Sequence, residues 1–207
     1  MVNIIIREGK AEDAQDFPRL ILLSAPTFFP PLFASNAGEV MKNLFQQARN
    51  LFSFEHSYFV EVNGERAGMV LGYSWEQKKR EEIHTGLLLV RYLKWSLFTR
   101  ILYLLKAQNM VGRIAENEYY ISNIAVYPEF RGLGLGTKLL SIIEREARET
   151  GNKRIILDVE TSNERAVKLY ERLGYIVERG TPSFKINKEA FKFFRMCKFL
   201  EHDGNFV

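Results

Sequence analysis

VYPEFRGLGLGTKLL, residues Val126 to Leu140, sets three glycines (Gly132, Gly134 and Gly136) between an apolar run and a stretch with helical spacing. Upstream, YYISNIAV from Tyr119 to Val126 reads as a strand, which Pro128 ends. Downstream, from about Gly134, Leu139, Leu140, Ile143 and Ala147 recur at helical spacing, and Gly151 supplies a C-terminal stop. Arg154 to Val159 (RIILDV) is a near-continuous apolar run of the kind buried on both faces of a sheet. Strand, helix and strand in that order form a βαβ unit, whose two strands run parallel.

The flanking segments extend this unit in both directions. Asn3 to Arg7 reads as a first strand. Glu12 to Asn50 has mixed helical periodicity broken at Pro26, Pro30 and Pro31, which predicts two short helices around a loop. Asn63-Gly64 lies between two apolar-rich runs within Tyr58 to Trp75, the signature of a hairpin joining strands two and three. Thr161-Ser-Asn-Glu164 has the spacing of a capping box and predicts a helix from about Glu164 to Leu173, closed by Gly174. Tyr175 to Arg179 and Phe191 to Phe199 read as the last two strands. The expected fold is α/β (α+β): a mixed sheet of about seven strands with helices on both faces. The whole chain, 1–207, is expected to be one domain with a helical insertion at about 76–117 between the third and fourth strands.

That insertion has an unusual composition. Ile83 to Ala115 is rich in Leu, Ile, Tyr and Trp, carries Arg91, Lys94, Arg100, Lys106 and Arg113, and contains no Asp or Glu. An extra layer packed on the core is the plainest reading. A lid over a binding groove, a dimer contact and a membrane-surface helix are the sharper ones.

Composition narrows the function classes. Apolar residues at 46% supply a core, and a formal net charge of +4 does not by itself argue for nucleic acid. Cys197 is the one cysteine, so an internal disulfide is impossible and a reducing, cytoplasmic setting is expected. The beginning of the chain reads as a short strand rather than a signal peptide, and no long uncharged apolar run predicts a spanning helix. His56, His84 and His202 lie far apart, so no metal-ligand spacing is present and no metal is expected.

The glycines carry the chemistry. A helix N-terminus presents unpaired N–H groups and the positive end of its dipole, which attract phosphate. Glycine lets a ligand approach the backbone closely, and Arg131 adds a fixed charge beside it. A glycine-rich structural turn is the simpler alternative, but strand, arginine, alternating glycines and helix in that order favour a phosphate cradle. The spacing G-x-G-x-G is not the dinucleotide fingerprint, and Thr137 precedes Lys138, so the P-loop pattern is also absent.

Arg131-Gly-Leu-Gly-Leu-Gly136 resembles the Q/R-x-x-G-x-G/A loop of the GNAT N-acetyltransferase superfamily. Asn163-Glu-Arg-Ala166, Leu169-Tyr170 and Leu173-Gly174-Tyr175 resemble that family's second segment, N-x-x-A-x-x-L-Y-x-x-x-G-F/Y. The similarity is strong from Tyr119 to about Arg179, and the insertion departs from the compact family core.

The resemblance implies acetyl-CoA as donor substrate and an amine, on a small molecule or a peptide, as acceptor. By analogy the pyrophosphate sits on the amides of Arg131, Gly132, Leu133, Gly134, Leu135, Gly136 and Thr137. The pantetheine arm pairs with Ile124, Ala125 and Val126 of a bulged fourth strand that splays from the fifth. Asn163 and Ala166 contact the cofactor from the other side. Direct attack of the amine on the thioester needs a base to free its lone pair, a donor for the oxyanion (the Val126 N–H) and an acid for the departing thiolate, a role matched by Tyr170. Glu118 at the start of the fourth strand is the base candidate, ahead of Glu160 and Glu55; its alternative is a solvated strand-end charge. Cys197 reads as a buried structural thiol. A non-catalytic module that senses acetyl-CoA or CoA, or docks a partner, is the competing function. Monomer and homodimer both stay open.

Overall fold

The structure is a computed structural model and describes residues 2–33, 36–93, 107, 110–186 and 189–200. Seven strands form one sheet: β1 (Ile4–Glu8), β2 (Ser57–Val62), β3 (Glu65–Ser74), β4 (Glu118–Val126), β5 (Arg154–Glu160), β6 (Ile176–Gly180) and β9 (Phe193–Phe199). Their spatial order is β1-β2-β3-β4-β5-β9-β6. β4 and β5 are parallel, as the βαβ reading requires, and every other pair is antiparallel. Asn63 and Gly64 turn the β2–β3 hairpin with positive φ, 52° and 86°, the backbone that such two-residue loops demand.

The helices divide between the two faces. On one lie α5 (Leu135–Glu149) and α6 (Glu164–Arg172), which bury Leu139, Leu140, Ile143 and Tyr170 against Ile121, Leu157 and Val159 of the central strands. On the other lie α1 (Phe17–Ser24), α2 (Phe29–Phe33) and α3 (Ala37–Phe45), which bury Phe17, Leu20, Met41 and Phe45 against Phe59, Met69 and Ala125. Strand alternation makes this sorting possible: successive side chains of β4 and β5 face opposite layers.

Where two helices were expected before β2, the described residues form three, with a preceding 3-10 turn at Ala11–Gln15. Proline explains the difference. Pro18 falls at the start of α1, and Pro30 and Pro31 fall in the first turn of α2, where the missing N–H is not needed for an intrahelical bond. The helix after β5 is capped by Asn163, whose Oδ1 accepts from the Ala166 amide at 3.2 Å, rather than by Thr161. The stretch before β9 also holds a small second sheet, β7 (Phe184–Ile186) paired with β8 (Glu189–Phe191).

α4 (Trp75–Leu93) follows β3 without a loop, so the inserted helix begins well before Ile83. Glu81 pins it to the body: its Oε2 lies 2.6 Å from His56 Nε2, with both side chains buried. Thr85 Oγ1 accepts from the Leu51 amide at 3.0 Å. Residues 94–106 and 108–109 of the acid-free run lie outside the described residues.

Candidate active site

The central parallel pair does not stay paired. β4 and β5 are in register only from Glu118–Arg154 to Ile121–Leu157. At that point the β3–β4 register slips, with Leu71 opposite Asn123 and Gly72 opposite Ile121. Ser122 is therefore an extra residue, a bulge that bends β4 away from its neighbour. Asn123 to Val126 then pair with β3 alone, and Asp158 to Glu160 with β9 alone. The result is a fork that opens toward the C-terminal ends of both strands.

The direction of the β4 backbone in this fork follows from one hydrogen bond. The Tyr127 amide donates to the Ala67 carbonyl at 2.8 Å, so Tyr127 faces β3. Backbone groups alternate along a paired strand. Val126 and Ile124 therefore turn their N–H and C=O groups into the fork, and Ala125 turns back toward β3. Arg131 reaches the Val126 carbonyl, Nε to O 3.4 Å, and lies against this edge. Gly68 allows β3 to approach: a Cβ there would stand 2.5 Å from the Ala125 carbonyl oxygen.

Beyond the fork the chain passes through a short 3-10 turn, Pro128–Phe130, into the glycine loop and α5. Gly132 and Gly134 have φ of 88° and 71°, and Gly134 caps the helix in the left-handed region. A Cβ at either would meet nothing within 4 Å, so backbone conformation rather than crowding calls for glycine there. Leu135 is buried and anchors the helix start, while Arg131, Gly132, Leu133 and Gly134 stay exposed. The Lys138 amide donates to the Gly134 carbonyl at 3.1 Å. Among the described residues, the amides from Gly132 to Thr137 have no acceptor. A run of unpaired amides at a helix start, with an arginine beside it and open space above it, fits a diphosphate.

Tyr170 lies on the α6 face toward the fork layer, 6% exposed, with its ring 5.7 Å from that of Tyr175. Burial pushes its phenol well above the ordinary value, and among the described residues its hydroxyl has no hydrogen-bond partner. Asn163 and Ala166 sit at the exposed and half-buried start of the same helix, engaged with each other through the cap.

The acidic candidates are in different places. Glu118 stands at the closed end of the β4–β5 pair, three residues before the last paired position, and is 4% exposed. Arg154 grips it in an ion pair, and it accepts the Ala115 amide at 2.6 Å. Arg154 also holds Glu178 at 2.8 Å, so Glu118 belongs to a structural cluster. Glu55 lies before β2, accepting from the Arg49 amide at 2.7 Å. Glu160 stands on the open arm of the fork, where it accepts from Thr27 Oγ1 at 3.0 Å. Among the described residues it has no basic partner. Cys197 is buried on β9, and burial pushes its thiol up.

Two features were not foreseen. The α1–α2 segment straps across the fork: Ser24 Oγ takes a bond from Asn123 Nδ2 of β4 at 2.7 Å, while Thr27 bonds Glu160 of β5. Phe28 pins the strap, with its ring 5.2 Å from Phe193 and 5.4 Å from Phe191. A polar cluster also closes the apex, just past the last paired position. Asp158 receives Arg195 Nε and Nη2 at 3.0 and 2.8 Å, the Tyr120 hydroxyl at 3.2 Å and the Gly112 amide at 2.8 Å. The carboxylate in RIILDV, a run apolar but for it and Arg154, is the signal that could have marked this position in the sequence.

Residues 21–175 match the profile of the Acetyltransferase (GNAT) family, and the chain belongs to that family. The resemblance drawn from the glycine loop and the α6 segment is thus borne out. An uncharacterized N-acetyltransferase YdgE of Bacillus subtilis is 40% identical over 60 residues, 29% of this chain and 38% of that protein. N-alpha-acetyltransferase 30 of Schizosaccharomyces pombe is 33% identical over 75 residues, 36% of this chain and 50% of that protein. The matches thus span half or less of these relatives' own length. The crystal structure of an N-acetyltransferase from Staphylococcus aureus superposes with a TM-score of 0.70 at 22% identity, over 94% of this chain and 100% of that one. The shared fold therefore extends through the strands on either side of the matched region.

Proposed function

We propose that the protein transfers an acetyl group from acetyl-CoA directly to a primary amine on a small molecule or a peptide. The observation that carries this reading is the β4–β5 fork opening onto the unpaired amides of the glycine loop. Acetyl-CoA is the donor substrate and supplies the activated acyl group. The amides from Gly132 to Thr137, with Arg131, hold its diphosphate. The exposed backbone edge of Ile124 and Val126 takes the pantetheine arm by strand addition, with Ala125 fixing that edge against β3. Asn163 and Ala166 line the other side of the donor site.

Within the fork, the Val126 N–H is aimed to stabilise negative charge as it develops on the carbonyl oxygen. Tyr170 is the acid that protonates the departing sulfur. The acceptor amine enters from the α1–α2 side and must lose a proton before it attacks, because a lysine-like amine has a pKa of about 10.4. Glu160 suits that task better than Glu118. It has no basic partner among the described residues, it stands on the open arm, and its one bond, from Thr27, is exchangeable for one to an amine or a water. Glu118 is already committed to Arg154 and the Ala115 amide.

The test is thiol release from acetyl-CoA with a panel of amines. Wild type is expected to release thiol only when an accepted amine is present. Glu160→Gln is expected to lower kcat by about 10²-fold or more. Glu118→Gln is expected to lower the melting temperature while leaving kcat close to wild type. A loss of kcat in Glu118→Gln with an undisturbed melting curve, and none in Glu160→Gln, would move the base role back to Glu118. Binding of acetyl-CoA with no turnover on any amine would favour the sensor.

A further inference from the structure

α4 leaves an apolar face without a partner. Ile83, Leu87 and Val90 are 75%, 63% and 54% exposed. Their i, i+4, i+7 spacing puts them on one stripe of a helix whose opposite side, through Glu81, Thr85 and Leu88, is buried in the body. Exposed aliphatic side chains scattered singly need no explanation, but three aligned on one helix face do.

The charge around the stripe points to its occupant. Lys79 and Arg80 lie one turn ahead of it, and Arg91 lies on its flank at the far end; all three are exposed. From Ile83 to Ala115 the sequence contains no acidic residue and five basic ones. The nearby acids are in the earlier part of the helix: Glu76 in its first turn, Glu81, which takes a bond from Arg80 at 3.1 Å, and Glu82, which bonds Lys78 at 3.7 Å on the flank. The acid-free run from Ile83 to Ala115 would meet the same run of a second copy with like charge alone. An anionic lipid surface instead takes the three aliphatic side chains at its acyl boundary and the three cations at its phosphates. Among the described residues no helix is long and apolar enough to cross a membrane, so this is contact from one side.

We infer that the outer face of α4, centred on Ile83, Leu87 and Val90, is a docking surface for anionic membrane lipid. Glu81 and Thr85 hold the opposite side of the helix against the body, so docking needs no movement of the helix.

The full chain is mixed with sedimentable vesicles of phosphatidylcholine alone and of phosphatidylcholine with about one-third phosphatidylglycerol. The protein is expected to pellet with the anionic vesicles, to stay in the supernatant with the neutral ones, and to be released by high salt. Ile83→Glu with Leu87→Glu, and separately Lys79→Glu with Arg91→Glu, are each expected to weaken pelleting by about tenfold or more. All these positions are exposed, so both variants are expected to keep the wild-type melting temperature, which is checked alongside. Wild type that ignores anionic vesicles overturns the inference, as does binding unchanged by Ile83→Glu with Leu87→Glu. A doubled mass in light scattering that the same variant returns to the monomer value also overturns it, because the face then belongs to a second copy.

Discussion

Tyr170→Phe is expected to lower the turnover of acetyl-CoA with an accepted amine by about 10²- to 10⁴-fold, the range for loss of a positioned general acid. Acetyl-CoA binding is expected to be nearly unchanged. The substitution isolates the hydroxyl cleanly. The ring is buried against Tyr175, and a phenylalanine retains that packing. The hydroxyl has no partner among the described residues, so its removal strands no buried donor or acceptor, and the melting temperature is expected to stay within about a degree or two of wild type. Burial holds the phenol above its ordinary value, so it keeps its proton throughout the neutral range. The rate is therefore expected to show no alkaline limb from this residue below about pH 10. Unimpaired turnover in Tyr170→Phe would remove the tyrosine from the chemistry and leave it as a core aromatic.

The largest expected effect on stability lies at Asp13, on the far side of the sheet from α5. Its carboxylate is fully buried and is held by Arg7 through bonds of 2.7 and 2.8 Å, by Arg66 Nε at 2.7 Å and by the Lys10 amide at 2.9 Å. These contacts tie the 3-10 turn before α1 to β1 and β3, and Arg66 continues to Asp16 at 3.0 Å. Asp13→Ala is expected to cost about 3–5 kcal/mol in denaturant unfolding, because it empties a buried site where both arginines converge and leaves Arg7 only Glu61 and Arg66 only Asp16. Burial alone would push the Asp13 carboxyl up. The bonds from Arg7, Lys10 and Arg66 outweigh it and hold the group below the ordinary value. The sign follows: this contribution is complete above the unfolded value of about 3.9 and disappears as pH falls through the lower folded one. Acid unfolding of wild type is thus expected to be steep below about pH 4, and Asp13→Ala is expected to lose part of that pH dependence. A variant as stable as wild type at pH 7 would contradict this.

Local patterns in the sequence were enough to give the sheet. Asn63-Gly64 fixes the hairpin, and RIILDV is apolar on both faces because β5 lies inside the sheet between two helical layers. The glycine loop was readable because φ near +70° to +90° and unpaired amides leave a trace in residue type. The fork itself is a different matter. Its bulge at Ser122 is a register slip between strands, and no side chain in YYISNIAV announces it; only family resemblance led to that expectation. The strap from Ser24 to Phe28 depends on partners about a hundred or more residues away (Asn123, Glu160 and Phe193), so no local pattern reveals it. Glu118 is the opposite case. Its place at the start of a strand was legible, but Arg154 comes beside it only when β4 and β5 pair in parallel, so the ion pair that holds its carboxylate was not.

The central claim is that the amides at the start of α5 hold the diphosphate of acetyl-CoA, and calorimetric titration of the purified chain with acetyl-CoA tests it most directly. The account predicts saturable 1:1 binding, accompanied at about a hundredfold excess over Kd by roughly 2.7 kcal/mol of added stability. That corresponds to a melting-temperature gain of about 5–10 °C for a chain of this size. Absence of both heat and thermal shift, with acetyl-CoA and with CoA alike, would contradict it.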